Sequence, residues 1–194
     1  MEILFFGKKG DKNTQIAAEY TKQIFPNATI ILGSRNERFP DDEIGLWRGD
    51  YIFSYLSPWI IPGSLLNRAS KGAINWHPGS LDYPGIGCTN FAIYNSAKEF
   101  GSTCHYMNEK VDTGSIIEVN RFAILDNDTV YSITQKCYSL ILTSYYSILE
   151  RINKNVEITL SGESWQRKPY TRKELDALCE ITSDMNIDEI NRRI

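Results

Sequence analysis

A short strand ending in polar side chains is predicted by the stretch Gly72-Ala73-Ile74-Asn75-Trp76-His77-Pro78. Side chains alternate between the two faces of a strand, so Asn75 and His77 face one side and Trp76 faces the other. Pro78 lacks the backbone N–H that would continue the hydrogen bonding of the strand. The stretch therefore predicts that an amide and an imidazole enter one cleft together at the end of a strand.

Further apolar runs predict the sheet to which this strand belongs. Ile3 to Phe6 and Thr29 to Gly33 are separated by a helical pattern that Asp11 or Asn13 can cap, which indicates the right-handed crossover unit of α/β proteins. Tyr51 to Leu56 is a third strand of the same buried type. The predicted fold class is α/β, with a mostly parallel sheet flanked by helices.

A second polar element, Val111-Asp112-Thr113-Gly114, lies further along the chain. The intervening residues predict a helix at Asn90 to Glu99 and a strand at Ser102 to Met107, so the chain has room to return to the same edge of the sheet. Asp112 is then expected to converge with His77. His105, on the returning strand, is interpreted as a packed or surface residue, as lone strand histidines usually are.

These residues resemble the formyltransferases that use 10-formyltetrahydrofolate. In that family an Asn-x-His-Pro element and an Asp in a Val-Asp-x-Gly turn form the catalytic trio. The resemblance covers roughly residues 1 to 150 and implies a Rossmann-like catalytic domain, a folate cofactor that donates the formyl group, and an amine acceptor. It assigns catalysis to Asn75, His77 and Asp112.

The three side chains suit the transfer of a formyl group to an amine. Asn75 and His77 can donate hydrogen bonds to the formyl oxygen as negative charge develops there, and one such donor is commonly worth about 3 kcal/mol. An imidazole titrates near neutrality and can accept the proton that the amine loses, while Asp112 orients it. The sequence leaves open whether His77, Asp112 or a water between them takes this proton.

An apolar loop, Ser57-Pro58-Trp59-Ile60-Ile61-Pro62, follows the third strand, and its two prolines keep it out of a sheet interior. The loop either packs beneath a helix predicted at Gly63 to Ala69 or covers a ligand. The resemblance implies the ligand, because the loop at this place cups the pterin ring in the family. The residues that it assigns to the cofactor are Tyr55, Leu56, Ile60 and Ile61.

The resemblance is closest to the branch that formylates amino sugars attached to nucleotides, on the run His-Pro-Gly-Ser-Leu from His77 followed by Tyr-Pro-Gly from Tyr83. A nucleotide-linked substrate needs cations for its diphosphate and an aromatic surface for its base. The candidates are Lys8, Lys9, Lys12, Tyr83 and Tyr94. The loop that holds the lysines lacks phosphate-loop spacing and is interpreted as a solvated turn, with an anion contact at the following helix as the alternative.

Three alternative functions remain. The glycinamide ribonucleotide branch carries a Gly-x-Gly-Ser-Asn loop, where this chain has Gly-Lys-Lys-Gly-Asp from Gly7. The branch that formylates initiator tRNA has a second domain, a basic barrel. The net charge of -3 disfavours a nucleic-acid partner for this chain. The third is a module that binds folate or sugar nucleotides without catalysis, against which the complete trio argues.

Composition sets the remaining expectations. The chain has 194 residues, 42% of them apolar, without an apolar run long enough to span a bilayer. The start of the chain, Met1 to Phe6, reads as a strand without the basic region of a signal peptide, so a cytoplasmic location is expected. Four scattered cysteines without a Cys-x-x-Cys pair predict neither a zinc site nor a disulfide framework, and no metal is expected.

The predicted catalytic domain covers residues 1–152 and ends with the longest helix, which Asp128 or Thr129 begins. Its apolar stripe predicts core packing, and four tyrosines around the stripe indicate a subunit contact, so a homodimer is a further prediction. The remaining residues, 153–194, are polar, with apolar side chains too sparse for a separate core. They are interpreted as a C-terminal arm that wraps the domain.

Overall fold

Six strands pair in the order β2-β1-β3-β4-β5-β6 to form one mixed sheet. The computed structural model describes residues 1–193. Strands β1 to β4 are parallel, and β5 and β6 are antiparallel to their neighbours, so the predicted mostly parallel sheet is confirmed. The strands are β1 Ile3–Lys8, β2 Thr29–Gly33, β3 Gly49–Tyr55, β4 Ala69–His77, β5 Glu99–Tyr106 and β6 Ile116–Ala123.

Seven helices accompany the sheet within residues 1–193, and the two longest begin where the sequence predicts. The Asp11 carboxylate accepts a hydrogen bond from the Thr14 N–H at the start of the first helix, and Thr129 forms a capping box with Ser132 at the start of the fifth. The helices are α1 Lys12–Ile24, α2 Asp41–Ile44, α3 Gly63–Leu66, α4 Cys88–Tyr94, α5 Val130–Asn153, α6 Arg172–Cys179 and α7 Ile187–Arg193.

Both faces of the central strands are buried, which is why their sequences are continuously apolar. In β1, Ile3 and Phe5 pack into the core formed with α1 and α5, while Leu4 and Phe6 pack into a second core on the opposite face. Trp76 of β4 joins the first core, with its ring 4.6 Å from that of Tyr145. The predicted alternation along β4 is therefore confirmed.

Two predicted helices end earlier than expected because strand pairing takes over their last residues. The helix predicted at Asn90 to Glu99 is α4, which ends at Tyr94, since Glu99 already pairs with Ala123 in the sheet. The helix predicted at Gly63 to Ala69 is α3, which ends at Leu66, since Ala69 pairs with Gly49 of β3. In both cases tertiary pairing overrides the local helical pattern.

The chain after α5 folds back over the domain rather than forming a core of its own. Tyr170, Leu175 and Leu178 pack against a cluster that includes Tyr83 and Phe91. The division into a domain of residues 1–152 and an arm of residues 153–194 stays a prediction. Ile194, at the end of the predicted arm, lies outside the described residues.

Helix α5 packs along the first core, and its tyrosines differ in how deeply they are buried. Tyr145 is buried, Tyr146 contacts Tyr20, and Tyr131 is exposed over 75% of its surface. The subunit contact predicted from these tyrosines stays a prediction. Within residues 1–193, no helix combines the length and the apolar character that crossing a membrane requires.

Candidate active site

A cleft of about 880 Å³ opens at the carboxyl ends of the parallel strands. This is where ligands of open α/β sheets bind, because the connecting loops leave a crevice there. The walls come from the loop after β3, the glycine-rich loop before α4, the turn between β5 and β6, and the arm. Residues from these elements and from the ends of the strands line the cleft, including Lys8, Ser54, Leu56, Ile60, Asn75, His77, Gly85, His105, Asp112 and Arg172.

The three residues predicted to be catalytic meet at the base of this cleft. Nδ1 of His77 lies 3.2 Å from Oδ2 of Asp112, and Nε2 of His77 lies 3.1 Å from the backbone oxygen of Tyr83. Both His77 and Asp112 are buried, whereas Asn75 is half-buried. The strand–turn arrangement read from the sequence thus brings the amide, the imidazole and the carboxylate together.

His105 is packed, as interpreted, and it is also a fourth member of this cluster, which the sequence did not predict. It lies directly opposite Asn75 in the β4–β5 pairing, and its Nε2 is 3.1 Å from Nδ2 of Asn75. The same nitrogen is 3.2 Å from Oδ1 of Asp112, while Nδ1 is 2.8 Å from the backbone oxygen of Tyr106. Asp112 therefore bridges the two histidines of the chain.

Nε2 of His105 can serve its two neighbours in two ways. When Nε2 carries a proton, it donates to the Asp112 carboxylate, and the Asn75 amide is turned so that its oxygen faces the imidazole. When Nε2 carries none, it accepts one Asn75 N–H, and the hydrogen bond to Asp112 is lost. In both cases Asn75 keeps at least one N–H for a ligand in the cleft.

Asp112 is buried and nevertheless ionised. Burial by itself disfavours the charged form, but the charge of His77, the hydrogen bond and charge of His105, and the Gly85 N–H at 2.8 Å together lower the pKa of Asp112 to about 2. The backbone of Asp112 has a φ of +44°, a left-handed conformation that Asp tolerates better than most residues. The turn therefore fixes a carboxylate, not a carboxylic acid, between the two imidazoles.

This ionisation predicts an acid-sensitive contribution to stability. Because the folded-state pKa of Asp112 is depressed, its contribution is present above the unfolded pKa of about 4 and is lost as the pH falls toward about 2. The size is about 2 kcal/mol at neutral pH. Urea unfolding of the protein and of Asp112→Asn is expected to give free energies of unfolding that differ less at about pH 3 than at about pH 7. An equal difference at both pH values would contradict it.

Comparison with known proteins decides the family. A sequence model described as "Formyl transferase" matches residues 36–146, more than half of the chain. The chain belongs to the formyl transferase family. The matched segment contains the four residues of the cluster.

Individual relatives match only part of this chain. It is 36% identical over 85 residues to a GDP-perosamine N-formyltransferase of Brucella melitensis, covering 43% of this chain and 33% of the relative. It is 35% identical over 100 residues to a methionyl-tRNA formyltransferase of Buchnera aphidicola, covering 51% of this chain and 32% of the relative. The matched segments thus span about a third of the length of these relatives.

A solved structure shares the fold over nearly the whole chain. The N-formyltransferase from Helicobacter canadensis, in complex with folinic acid and dTDP-3-aminofucose, superposes with a TM-score of 0.76. The match covers 99% of this chain and 78% of that one at 19% identity. At this identity the likeness shows the fold, and it confirms the predicted Rossmann-like α/β architecture of the formyltransferases.

Three of the four residues assigned to the cofactor line the cleft, namely Leu56, Ile60 and Ile61. Tyr55 is the exception, because its side chain is fully buried in the core and stacks with Phe5. Strand alternation explains the difference, since Ser54 and Leu56 face the cleft and the residue between them faces the core. The assignment of the Tyr55 side chain to the ligand is therefore corrected.

The residues predicted to bind the acceptor are mostly elsewhere. Lys8 lines the cleft, whereas Lys9 pairs with Glu37 on the surface and the Tyr83 ring is buried against Phe100. Tyr94 is also outside the cleft, because its hydroxyl donates to Glu189 and the Arg192 guanidinium stacks over its ring. Lys12 is in α1, where Asp11 already caps the helix N-terminus, and it does not line the cleft. The structure thus places these four residues outside the lining of the cleft.

Several cleft residues were not recognised from the sequence. Arg35, Lys110 and Arg172 line the cleft together with Lys8, although they lie far apart along the chain. Trp165 of the arm contacts both histidine rings. No local pattern marks these residues, since a scattered arginine and a tryptophan in a polar segment occur on most surfaces.

Proposed function

We propose that this protein transfers a formyl group from 10-formyltetrahydrofolate to the amine of a nucleotide-linked amino sugar. The observation that carries the proposal is the cluster of Asn75, His77, His105 and Asp112 at the base of a large cleft. The names of the Brucella relative and of the Helicobacter complex support a sugar acceptor and a folate donor.

The loop after β3 fits a flat aromatic group such as pterin. Ile60 lies in the wall of the cleft and is 71% exposed, so its side chain is available to a ligand there. Leu56 lines the same wall with a φ of +52°, a strained conformation of the kind that clusters at ligand sites. Folate bound here would supply the formyl group, and the apolar side chains would cover its ring.

The cationic residues of the cleft fit a diphosphate. Four of them, Lys8, Arg35, Lys110 and Arg172, line one cleft in a chain whose net charge is -3. A concentration of positive charge against the overall balance favours an anionic ligand in that place. Arg172 also pairs with Asp176 at 2.7 Å, which holds its guanidinium beside the cleft.

The cluster can perform the proton and charge chemistry of the reaction. The free N–H of Asn75 is placed to donate to the formyl oxygen as negative charge develops there. Nε2 of His77 meets only a neutral backbone oxygen, and Asp112 holds the other ring nitrogen. A ring with a proton on Nε2 can donate it to the charged formyl oxygen. A ring without that proton can instead take the one that the amine loses and pass it to the folate nitrogen that leaves.

A covalent route through the nearby thiol is disfavoured. Cys88 lines the cleft and its Sγ donates to the backbone oxygen of Pro78 at 3.0 Å. Burial raises the pKa of the Cys88 thiol to about 12, so it is not a thiolate at neutral pH and is a poor nucleophile. Direct attack of the amine on the formyl carbon therefore agrees best with the site.

The proposal is tested with a panel of acceptors. The protein is incubated with 10-formyltetrahydrofolate and, separately, nucleotide-linked 3-amino and 4-amino sugars, glycinamide ribonucleotide and initiator methionyl-tRNA. Mass spectrometry is expected to show a formyl group gained by one of the sugars. Formyl gain only on methionyl-tRNA, as the Buchnera relative would suggest, or only on the ribonucleotide would refute the sugar acceptor. Folate binding without transfer to any amine would indicate a binding module.

The location and assembly of the protein belong to the same proposal. All four cysteines are free, and three of them are buried. Reduced thiols are typical of the cytoplasm, so we place the enzyme there. A homodimer through α5 stays a prediction that sedimentation at working concentrations would test.

Replacing Ile60 by aspartate is expected to weaken folate binding by roughly tenfold or more, because the charge would lose water against an apolar ring. Ile60 is exposed, so the fold should tolerate the change, whereas Ile61 is 6% exposed and belongs to the core. Titration with tetrahydrofolate measures the affinity. Leu125→Asp is the control, since Leu125 is 58% exposed and outside the cleft. Unchanged folate affinity in Ile60→Asp would mean that the loop packs against the rest of the protein and does not cover the ligand.

A further inference from the structure

We infer that the arm segment of residues 164–171 positions the catalytic cluster, with Trp165 and Tyr170 as its two points of contact. The inference rests on the proposed function and adds residues to it that lie outside the family match, which ends at residue 146. Two independent sets of contacts carry it. One reaches the histidines and the other reaches Asp112.

Trp165 contacts both imidazoles of the cluster. The centroid of its ring is 5.1 Å from that of His105 and 5.8 Å from that of His77, with interplanar angles of 86° and 73°. Both are edge-to-face distances typical of attractive aromatic pairs. A single rigid side chain therefore limits the rotation of two rings whose hydrogen bonds depend on their orientation.

The same indole is fixed to the turn that carries the carboxylate. Nε1 of Trp165 donates to the backbone oxygen of Gly114 at 3.0 Å, two residues after Asp112. Gly114 itself packs directly against β5, because a Cβ there would lie 1.7 Å from the backbone oxygen of Tyr106. Trp165 thus contacts both histidines and the turn that holds Asp112, and it links all three to the arm.

Tyr170 holds the other side of the carboxylate through Gly85. Its N–H donates to the oxygen of Pro84 at 2.8 Å, and its oxygen accepts from the Ile86 N–H at 3.1 Å. Gly85, bracketed by these bonds, donates its N–H to Oδ2 of Asp112 at 2.8 Å. A Cβ on Gly85 would lie 2.3 Å from the Tyr170 oxygen, and its φ is +89°, so this approach requires glycine.

Two contacts hold the Tyr170 side chain in place, and they thereby fix the position of its backbone. Its ring stacks on Phe91 of α4 with centroids 3.6 Å apart, and the Arg167 guanidinium lies 3.1 Å from its centroid. Such contacts each contribute on the order of 1 kcal/mol. The arm can therefore transmit a fixed position to the glycine-rich loop and, through it, to Asp112.

The geometry assigns to Trp165 an effect on turnover rather than on substrate binding. Small displacements of catalytic groups can lower rates by about 10²-fold. Trp165→Ala is expected to lower kcat by roughly that factor with KM values within about twofold. Trp165→Phe keeps an aromatic ring against the imidazoles but loses the bond to Gly114, so it is expected to restore most of the lost kcat.

The test combines kinetics with imidazole NMR of the full-length chain. The chain contains two histidines and both are in the cluster, so their ring ¹⁵N signals report on it directly. Both signals are expected to shift in Trp165→Ala and to shift less in Trp165→Phe. Glu189→Ala is the matched control, because it releases the Tyr94 contact of α7 without touching residues 164–171.

The outcomes separate this inference from the proposed function. Unchanged histidine signals in a folded Trp165 variant, or an equal loss of kcat in Glu189→Ala, would overturn the inference. If Trp165→Ala does not fold, Trp165→Phe alone must shift the signals for the inference to stand. If the unmodified protein transfers no formyl group, the proposed function fails, while the NMR comparison still decides whether Trp165 positions the histidines.

Discussion

Replacing His77 by alanine is expected to lower the rate of formyl transfer by about 10³-fold or more, with folding and folate affinity largely retained. The expectation combines a lost hydrogen-bond donor with a lost proton acceptor, and each such loss costs about 10²-fold or more. His77 meets Asp112 and a backbone oxygen but not the loop assigned to the folate ring. Turnover, tetrahydrofolate titration and thermal unfolding of the variant give the three quantities.

Asp112→Asn is expected to lower the rate to a similar extent, because it removes the charge that holds the His77 ring. The two residues act as one unit, so the double variant should lose little more than either single variant. Asp126→Ala is the matched control, since Asp126 is exposed. Full activity in either single variant would remove His77 and Asp112 from the mechanism. Additive losses would mean that they act separately.

Much of the fold follows from patterns within single elements. Apolar runs give the buried strands, and Asp11 and Thr129 give the starts of the two long helices. The alternation along β4 places Asn75 and His77 together because strand geometry fixes it over two residues. Helix ends at Tyr94 and Leu66 were predicted too late, because the pairing of the next strand, not local propensity, sets them.

Residues of the site could be predicted from the sequence only where a single strand or turn holds them together. His105 joins the cluster through its register opposite Asn75, and that register depends on a connection of more than twenty residues. Trp165 reaches the cluster because the arm folds back over the domain, which a polar composition does not reveal. Tyr55 was assigned to the cleft with its neighbour Leu56, although one step along a strand reverses the side chain.

Replacing Asn75 by alanine is expected to lower kcat by about 10²-fold to 10³-fold, the usual cost of losing one fixed donor to a developing negative charge. The side chain is half-buried and bonds only His105 within the described chain, so the fold should tolerate its truncation. Because the contact forms mainly in the transition state, kcat and kcat/KM should fall equally. Asn127→Ala is the control, since Asn127 is exposed.

Asn75→Asp sharpens this prediction because it keeps the size of the side chain. It replaces the N–H donor by a carboxylate oxygen that would repel the negative charge on the formyl oxygen and the carboxylate of Asp112. The rate is therefore expected to fall at least as far as in Asn75→Ala, although the volume is unchanged. A higher KM with unchanged kcat in both variants would instead make Asn75 a substrate-binding residue. Retained activity in Asn75→Asp would show that the amide donates nothing to the reaction.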